Sequence, residues 1–402
     1  MLPDRPTVAM LIGGHETGGL ATVIQQLLAG VDRQRYTLRL VVCDVGSYAA
    51  ALRDAGWVCD SIHIGPPPLM RQHTGYGVKR LWSAHWRSVA WAARGALALS
   101  RYVRRHRVDL IHTHYYHYHG LSALAHVLCG VKCVWHWHGQ EYRASLLKLG
   151  PFIRRLIRSF GWFIAISQTT RASIQALTGE RVTVVYNGLP PPQACGRRRE
   201  LREMLRLPAE ARVVGMVGTL HPIKGHLDAL EAAARICRRH SDVHFVFIGG
   251  HTQPLEAYRA RVLQRRRELD LEHRVHFLGH RDDAAELTSG FDIKILTTLP
   301  PGEGFGLVII EAMARRVPVI ATDVGAPREI LTHNHTGILV PPADPTALAQ
   351  AIEDLLTDPE RRHRLGQAGY AAFCERFDIR RTVREIEAVY DRLLKRPAAT
   401  NA

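Results

Sequence analysis

Glu303 and Glu311 stand at the two ends of the run Glu303-Gly-Phe-Gly-Leu-Val-Ile-Ile-Glu311. The stretch from Leu307 to Met313 reads as a helix, with Phe305 to Leu307 as its first turn. The Gly304-x-Gly306 pair lets backbone approach a ligand with no Cβ in the way. N–H groups at a helix start, aided by the macrodipole, favour an anion such as a phosphate. Glu303 precedes that turn and Glu311 lies about a turn and a half into the helix, so the two would flank the anion. A carboxylate is a poor partner for phosphate but a good acceptor for hydroxyls. Hydroxyls, phosphate, hydroxyls is the pattern of a sugar nucleotide. On spacing alone, a solvated helix with two surface acids competes with that reading.

Histidine is the other abundant chemical group, at His112, His114, His117, His119, His136 and His138. Strand spacing puts His112 with His114, and His136 with His138, on common faces. No cysteine or acid joins them at metal-like spacing, so they are read as lining a polar cleft and no metal is expected. Gly302-x-Gly304-x-Gly306 is not the G-x-G-x-x-G of a dinucleotide site and does not close a first βαβ unit. Seven cysteines are scattered without a C-x-x-C, which suggests reduced thiols and a cytoplasmic setting. The apolar run Val8–Ile12 is too short for a secretion signal.

The elements that would position these groups alternate strand and helix. The chain has 402 residues, enough for two domains. Strands are expected at Thr7–Ile12, Tyr36–Cys43, Asp109–His112, Lys132–Trp137, Phe163–Ser167 and Val182–Tyr186. A second set is expected at Val213–Val217, His244–Ile248, Val275–Leu278, Ile293–Leu296, Val317–Ala321 and Gly337–Val340. Asn187-Gly188 and Pro190-Pro191-Pro192 break the pattern and read as a linker. Asp344-Pro345 and Asp358-Pro359 each supply an N-cap and a Pro at the first helical position. Two doubly wound α/β domains follow, with a ligand at the carboxyl ends of the strands in a central cleft.

The context of the two acids carries more than their spacing. Pro300-Pro-Gly-Glu-Gly-Phe-Gly-Leu-Val-Ile-Ile-Glu-Ala-Met-Ala, followed by Val317-Pro-Val-Ile-Ala-Thr and Gly325-x-x-x-Glu329, closely resembles the retaining glycosyltransferases of family 4, with the GT-B fold. The resemblance covers most of the chain. It implies Rossmann-like domains at 1–190 and 198–377, with a last helix at 378–396 crossing back onto the first. Gly13-Gly14 is similar to the family's N-domain glycine loop near the donor phosphates. Val217-Gly218-Thr-Leu-His-Pro-Ile-Lys224-Gly225 resembles its diphosphate segment, with Thr219 where an Arg is usual; Lys224 would hold the diphosphate. Arg316 replaces a common Gly. Val275-His-Phe-Leu-Gly279 resembles the segment lining the nucleobase. Val134-Trp-His-Trp-His138-Gly139 resembles the strand end that presents a histidine to the sugar.

What the resemblance implies is transfer of a hexose from a nucleotide diphosphate sugar, a UDP-sugar first and GDP-mannose next, to an acceptor hydroxyl with retention. Lys224 and the N–H groups from Phe305 to Leu307 would stabilise the leaving diphosphate. Glu303 would orient the hexose, Glu311 would grip the ribose diol, and His138 would bond the sugar near the reacting centre. The donor is a substrate, and neither cofactor nor metal is expected. His114 is a candidate on the acceptor side.

Net charge is +16. Residues 1–188 hold 22 Lys and Arg against 9 Asp and Glu, so most of the excess is in the first half. Between Val78 and Arg107 there is no acid, and Arg80, Arg87, Arg94 and Arg101 recur every seven residues along one helical stripe. With Trp82, Trp86, Val89, Ala93 and Leu97 alongside, this suits an anionic membrane surface and a lipid-linked acceptor, and equally a helix that packs on the sheet and shows a solvated Arg face. A second basic patch runs from Leu146 to Trp162. No nucleic-acid motif is present. The rival reading is a non-catalytic protein of the same fold that docks at membranes or a partner complex.

Overall fold

The structure, a computed structural model, describes residues 5–13, 18–43, 46–62, 64, 79–139, 155, 159–192, 196–250 and 255–395. The chain forms two compact units, Met1–Tyr186 with Ile379–Ala402, and Asn187–Asp378.

In the first unit the strands are β1 (Thr7–Ile12), β2 (Thr37–Val42), β3 (Cys59–Ser61), β4 (Val108–Thr113), β5 (Lys132–Trp137), β6 (Gly161–Ala165) and β7 (Val182–Val184). They form one parallel sheet in the order β3-β2-β1-β4-β5-β6-β7. Strands covered on both faces need continuous apolar runs, and Val8 to Ile12 is buried throughout. The strand order reverses between β1 and β4, the topological switch at which α/β sheets bind ligands. β4 and β5 pair with His112 opposite Val134 and Thr113 opposite Trp135. The same offset brings His114 level with His136.

Cys59–Ser61 is a strand that the sequence pattern does not announce. It is a short, polar edge strand, held by pairing with β2 and by an Arg39–Asp60 ion pair of 2.7 Å. The basic stretch folds as the single helix Lys79–His106. Trp91, Leu99, Tyr102 and Val103 are buried against the core, while Val89, Arg94, Leu97 and Arg101 are exposed. Side chains of Arg80, Arg87, Trp82 and Trp86, and most of the 146–162 patch, lie outside the described residues.

The last helix, Ile379–Leu394, belongs to the first unit. Val383, Ile386, Val389 and Tyr390 are buried on one helical stripe, each worth about 1.5–3 kcal/mol if fully desolvated. Polar ties fix its register. Arg35 bridges Glu387 at 2.8 Å and Asp391 at 2.6 Å, and the Tyr36 hydroxyl donates to Asp391 at 2.6 Å.

The second unit contains β8 (Arg212–Val217), β9 (Val243–Ile248), β10 (Val275–Gly279), β11 (Ile293–Leu296), β12 (Val319–Thr322) and β13 (Ile338–Val340). They form a parallel sheet in the order β10-β9-β8-β11-β12-β13. Its switch lies between β8 and β11. The Asp344 and Asp358 caps form as expected, Asp344 accepting from the Thr346 and Ala347 N–H groups at 3.0 and 2.9 Å. Both units are Rossmann-like α/β domains.

Candidate active site

The carboxyl ends of β8 and β11 hold the chemical groups of the second unit. After β8 the chain turns through Pro222–Lys224. Gly225 then takes φ +68, and a Cβ there would lie 2.0 Å from the Thr297 carbonyl oxygen. Only glycine permits that approach. Thr297, just past β11, donates to the Lys224 carbonyl at 2.7 Å, and the Leu299 N–H donates to the Ile223 carbonyl at 2.7 Å. The two loops are therefore laced together, which places Lys224 beside Glu303.

Lys224 Nζ donates to Glu303 Oε1 at 2.5 Å, and Thr298 Oγ1 donates to the same oxygen at 2.7 Å. Thr322 holds Thr298 by donating to its carbonyl at 2.6 Å. The pair is only partly covered, with side-chain exposures of 22% for Lys224 and 15% for Glu303, so an incoming ligand can reach both. The helix that follows is Leu307–Ala314. It starts two residues later than the Phe305 start expected from sequence. Gly306 caps it at φ +99, a left-handed conformation that costs other residues about 1–2 kcal/mol.

Glu311 lies in the middle of that helix. Fully buried Lys294 on β11 is its electrostatic partner. Burial pushes the Glu311 carboxyl up from the usual carboxylate range, and the Lys294 and Arg315 cations pull it back. Burial likewise pushes the Lys294 ammonium down, opposed by Glu311. Lys294 Nζ has no hydrogen-bond partner among the described residues.

The glycines singled out from sequence come together by backbone. Gly218 N–H donates to the Ile248 carbonyl at 2.9 Å, and Gly249 N–H to the Gly279 carbonyl at 2.8 Å. Thr219 is exposed, and Leu220 N–H bonds the Gly250 carbonyl at 2.8 Å. Phe305 is buried and lies edge-on to Phe377.

In the first unit Gly13 follows β1 and is buried, while Gly14 lies outside the described residues. His112 and His136 sit on β4 and β5; His114 and His138 follow each strand directly. Their rings form one cluster, with centroids 4.3 Å apart for His112 and His114, which are tilted, and 4.2 Å for His136 and His138, which are stacked. His114 Nδ1 and His138 Nε2 share a hydrogen bond of 3.0 Å. Burial keeps all four neutral: His112 is pushed down to about 3, and His114 and His136 well below their ordinary value.

Residues 197–372 match the family model described as "Glycosyl transferases group 1", and residues 17–192 match "Glycosyltransferase Family 4". The chain is a group 1 glycosyltransferase with a family 4 type N-terminal domain. It is similar to the N-acetyl-alpha-D-glucosaminyl L-malate synthase of Bacillus anthracis, 28% identical over 313 residues, covering 75% of this chain and 79% of that protein. It is also 28% identical over 363 residues to the D-inositol 3-phosphate glycosyltransferase of Thermobispora bispora, covering 82% and 83%. The Anabaena protein Alr3699/HepE, solved in complex with UDP, shares the fold with a TM-score of 0.79 at 22% identity, covering 96% of this chain and 100% of that one.

Three residues of this glycosyltransferase's second unit escape sequence reasoning. Thr297 and Thr298 tie the Lys224 and Glu303 loops, and Lys294 sits behind Glu311. A pair of threonines after a strand reads as ordinary strand chemistry. A lone lysine in an apolar strand reads as an outward-facing residue, and only the packed helix above β11 shows it to be buried.

Proposed function

We propose that the chain transfers a hexose from a nucleotide diphosphate sugar to an acceptor hydroxyl with retention of configuration. The observation that carries this reading is the Lys224–Glu303 pair of 2.5 Å at the switch point of the second sheet, beside the glycine-capped start of Leu307–Ala314. A cation and helix N–H groups suit a diphosphate, and a carboxylate held by neighbours suits sugar hydroxyls. The hard step is departure of the diphosphate while positive charge develops on the sugar. Lys224 exchanges its bond to Glu303 for a phosphate oxygen, and this frees Glu303 to accept from the hexose. Glu311, whose charge Lys294 favours against the effect of burial, accepts from the ribose diol. The family resemblance gives His138 to the sugar.

No carboxylate is assigned as a covalent nucleophile, so attack by the acceptor on the face the diphosphate leaves is favoured over a glycosyl-enzyme. A UDP-sugar is the favoured donor, consistent with the UDP in the Anabaena complex, and GDP-mannose is next. No metal takes part in this diphosphate chemistry. A lipid-linked acceptor at an anionic cytoplasmic membrane face fits exposed Val89, Arg94, Leu97 and Arg101 on the basic helix. Among the described residues no helix is long and apolar enough to cross a membrane.

Release of nucleoside diphosphate from a panel of sugar nucleotides, with simple acceptor mixtures, tests the reading. Lys224→Ala is expected to lose about 10²–10³ in turnover, as for loss of one preorganised donor. A folded wild type that releases no diphosphate from any donor favours the non-catalytic docking protein instead.

A further inference from the structure

The histidine group on β4 and β5 has a property that sugar transfer does not use. One ring nitrogen from each of His112, His114 and His136 lies within 4.8 Å of the other two. The three side chains are buried, with exposures of 0%, 4% and 1%. His112 Nε2, His114 Nε2 and both nitrogens of His136 have no hydrogen-bond partner among the described residues. A buried polar atom left unpaired costs about 1–3 kcal/mol. Three unpartnered rings brought this close call for a shared ligand, and an unpaired lone pair on a neutral imidazole attracts a metal cation, not an anion.

Two of the three rings already have their second nitrogen held in the way that a metal site requires. His112 Nδ1 bonds the Tyr390 hydroxyl at 2.6 Å, and His114 Nδ1 bonds His138 Nε2 at 3.0 Å. Metal-ligating histidines use their second nitrogen as a donor to such an outer partner, and this selects the tautomer that aims the first nitrogen at the ion. Both bonds here fall on Nδ1 and leave Nε2 of His112 and His114 without a hydrogen-bond partner among the described residues, available to a ligand. Tyr390 comes from the last helix, so the outer shell is built from two distant parts of the chain.

We propose that His112 Nε2, His114 Nε2 and one nitrogen of His136 form a three-histidine site for a divalent transition metal, Zn²⁺ in the first instance. Zn–N bonds of about 2.0–2.1 Å in tetrahedral geometry set the nitrogens about 3.4 Å apart. Each ring therefore moves inward by less than about 1 Å from the observed separations, a side-chain adjustment. Three neutral nitrogens leave the fourth position to water, and an imidazole set suits Zn, Cu, Ni or Fe better than Mg or Ca. The absence of cysteine and acid from the spacing, which argues against a metal in the sequence, does not exclude an all-imidazole set. The ion fixes His114 with its proton on Nδ1. That proton is donated to His138 Nε2, so His138 keeps its own proton on Nδ1. This last consequence rests on the proposed role of His138 at the sugar; metal binding itself does not.

The test uses untagged full-length protein, stripped with a chelator, loaded with Zn²⁺ or Co²⁺ and freed of excess ion by gel filtration. The expected result is one ion retained per chain by elemental analysis. The Co²⁺ form should show the intense visible bands of a four-coordinate site with three imidazole ligands. His136→Asn is expected to lose the ion. His226→Gln, which removes another buried histidine with an unpartnered nitrogen, is expected to keep it. Circular dichroism establishes that each variant folds. No retained metal in the folded wild type overturns the proposal, as does equal retention by folded His136→Asn. Should His136→Asn fail to fold, the wild-type Co²⁺ spectrum decides, and weak bands of a six-coordinate aquo-ion count against the site. Stoichiometry is read without any donor sugar, so failure here leaves the transferase reading standing, and failure of turnover leaves this site standing.

Discussion

At the scale of single residues, the proposed donor site depends on charges held largely out of water. In the proposed role Glu311 is ionised to accept from a diol, yet burial raises its affinity for a proton. Lys294 is the first group that opposes this. Lys294→Met should therefore move the acid limb of nucleotide binding to higher pH, measured as UDP affinity across a pH series; an unmoved limb would break the link between the two side chains. His226 provides a stability test. Burial, reinforced by the Lys224 charge, pushes its imidazole from 6.5 to about 4. The unfolded chain then takes up the proton first as pH falls. Stability present above about pH 6.5 is lost towards pH 4, by about 2 kcal/mol at pH 5. His226→Gln should flatten that part of the unfolding curve, read by denaturant titration at pH 7 and pH 5.

At the scale of elements, loops and caps set the positions of these charges. Thr297→Val removes the hydroxyl that holds the Lys224 carbonyl and keeps the side-chain shape. We expect stability to fall by about 1–1.5 kcal/mol, roughly what one buried hydrogen bond is worth, and turnover to fall by about tenfold as Lys224 loses its position. Asp344→Ala removes an N-cap with two N–H partners and should cost about 1 kcal/mol of stability without affecting nucleotide affinity. Much of this level was legible in the sequence. β1, β5 and β11 lie where the buried apolar runs place them, and both Asp-Pro caps form. β3 was not legible, because Cys59-Asp60-Ser61 has no apolar run and exists only by pairing with β2. The helix after Glu303 starts at Leu307 because Gly306 adopts positive φ, a backbone choice that residue types permit but do not dictate. The histidine faces could be read from the H-x-H spacing. That β4 and β5 are neighbours, and that Tyr390 from 278 positions away meets His112, could not, since sequence spacing carries no strand order.

At the scale of the molecule, two parallel sheets each present their chemistry at a topological switch, and the charge excess belongs to the first half. The basic helix Lys79–His106 buries one face and exposes Val89, Arg94, Leu97 and Arg101 on another. Sedimentation with phosphatidylserine vesicles should accordingly be strong at low salt and should decline steeply as the Debye length shrinks from about 30 Å at 0.01 M to about 8 Å at 0.15 M. Binding indifferent to salt and to lipid charge would remove the membrane from the account. The central claim is that the second unit binds a nucleotide diphosphate through Glu311, Glu303 and Lys224. Calorimetric titration of UDP and of GDP into wild type and Glu311→Ala tests it most directly. Saturable binding of one nucleotide, weakened at least tenfold by the substitution, is the result predicted. Heat from neither nucleotide with folded wild type, or equal affinity in Glu311→Ala, would contradict it.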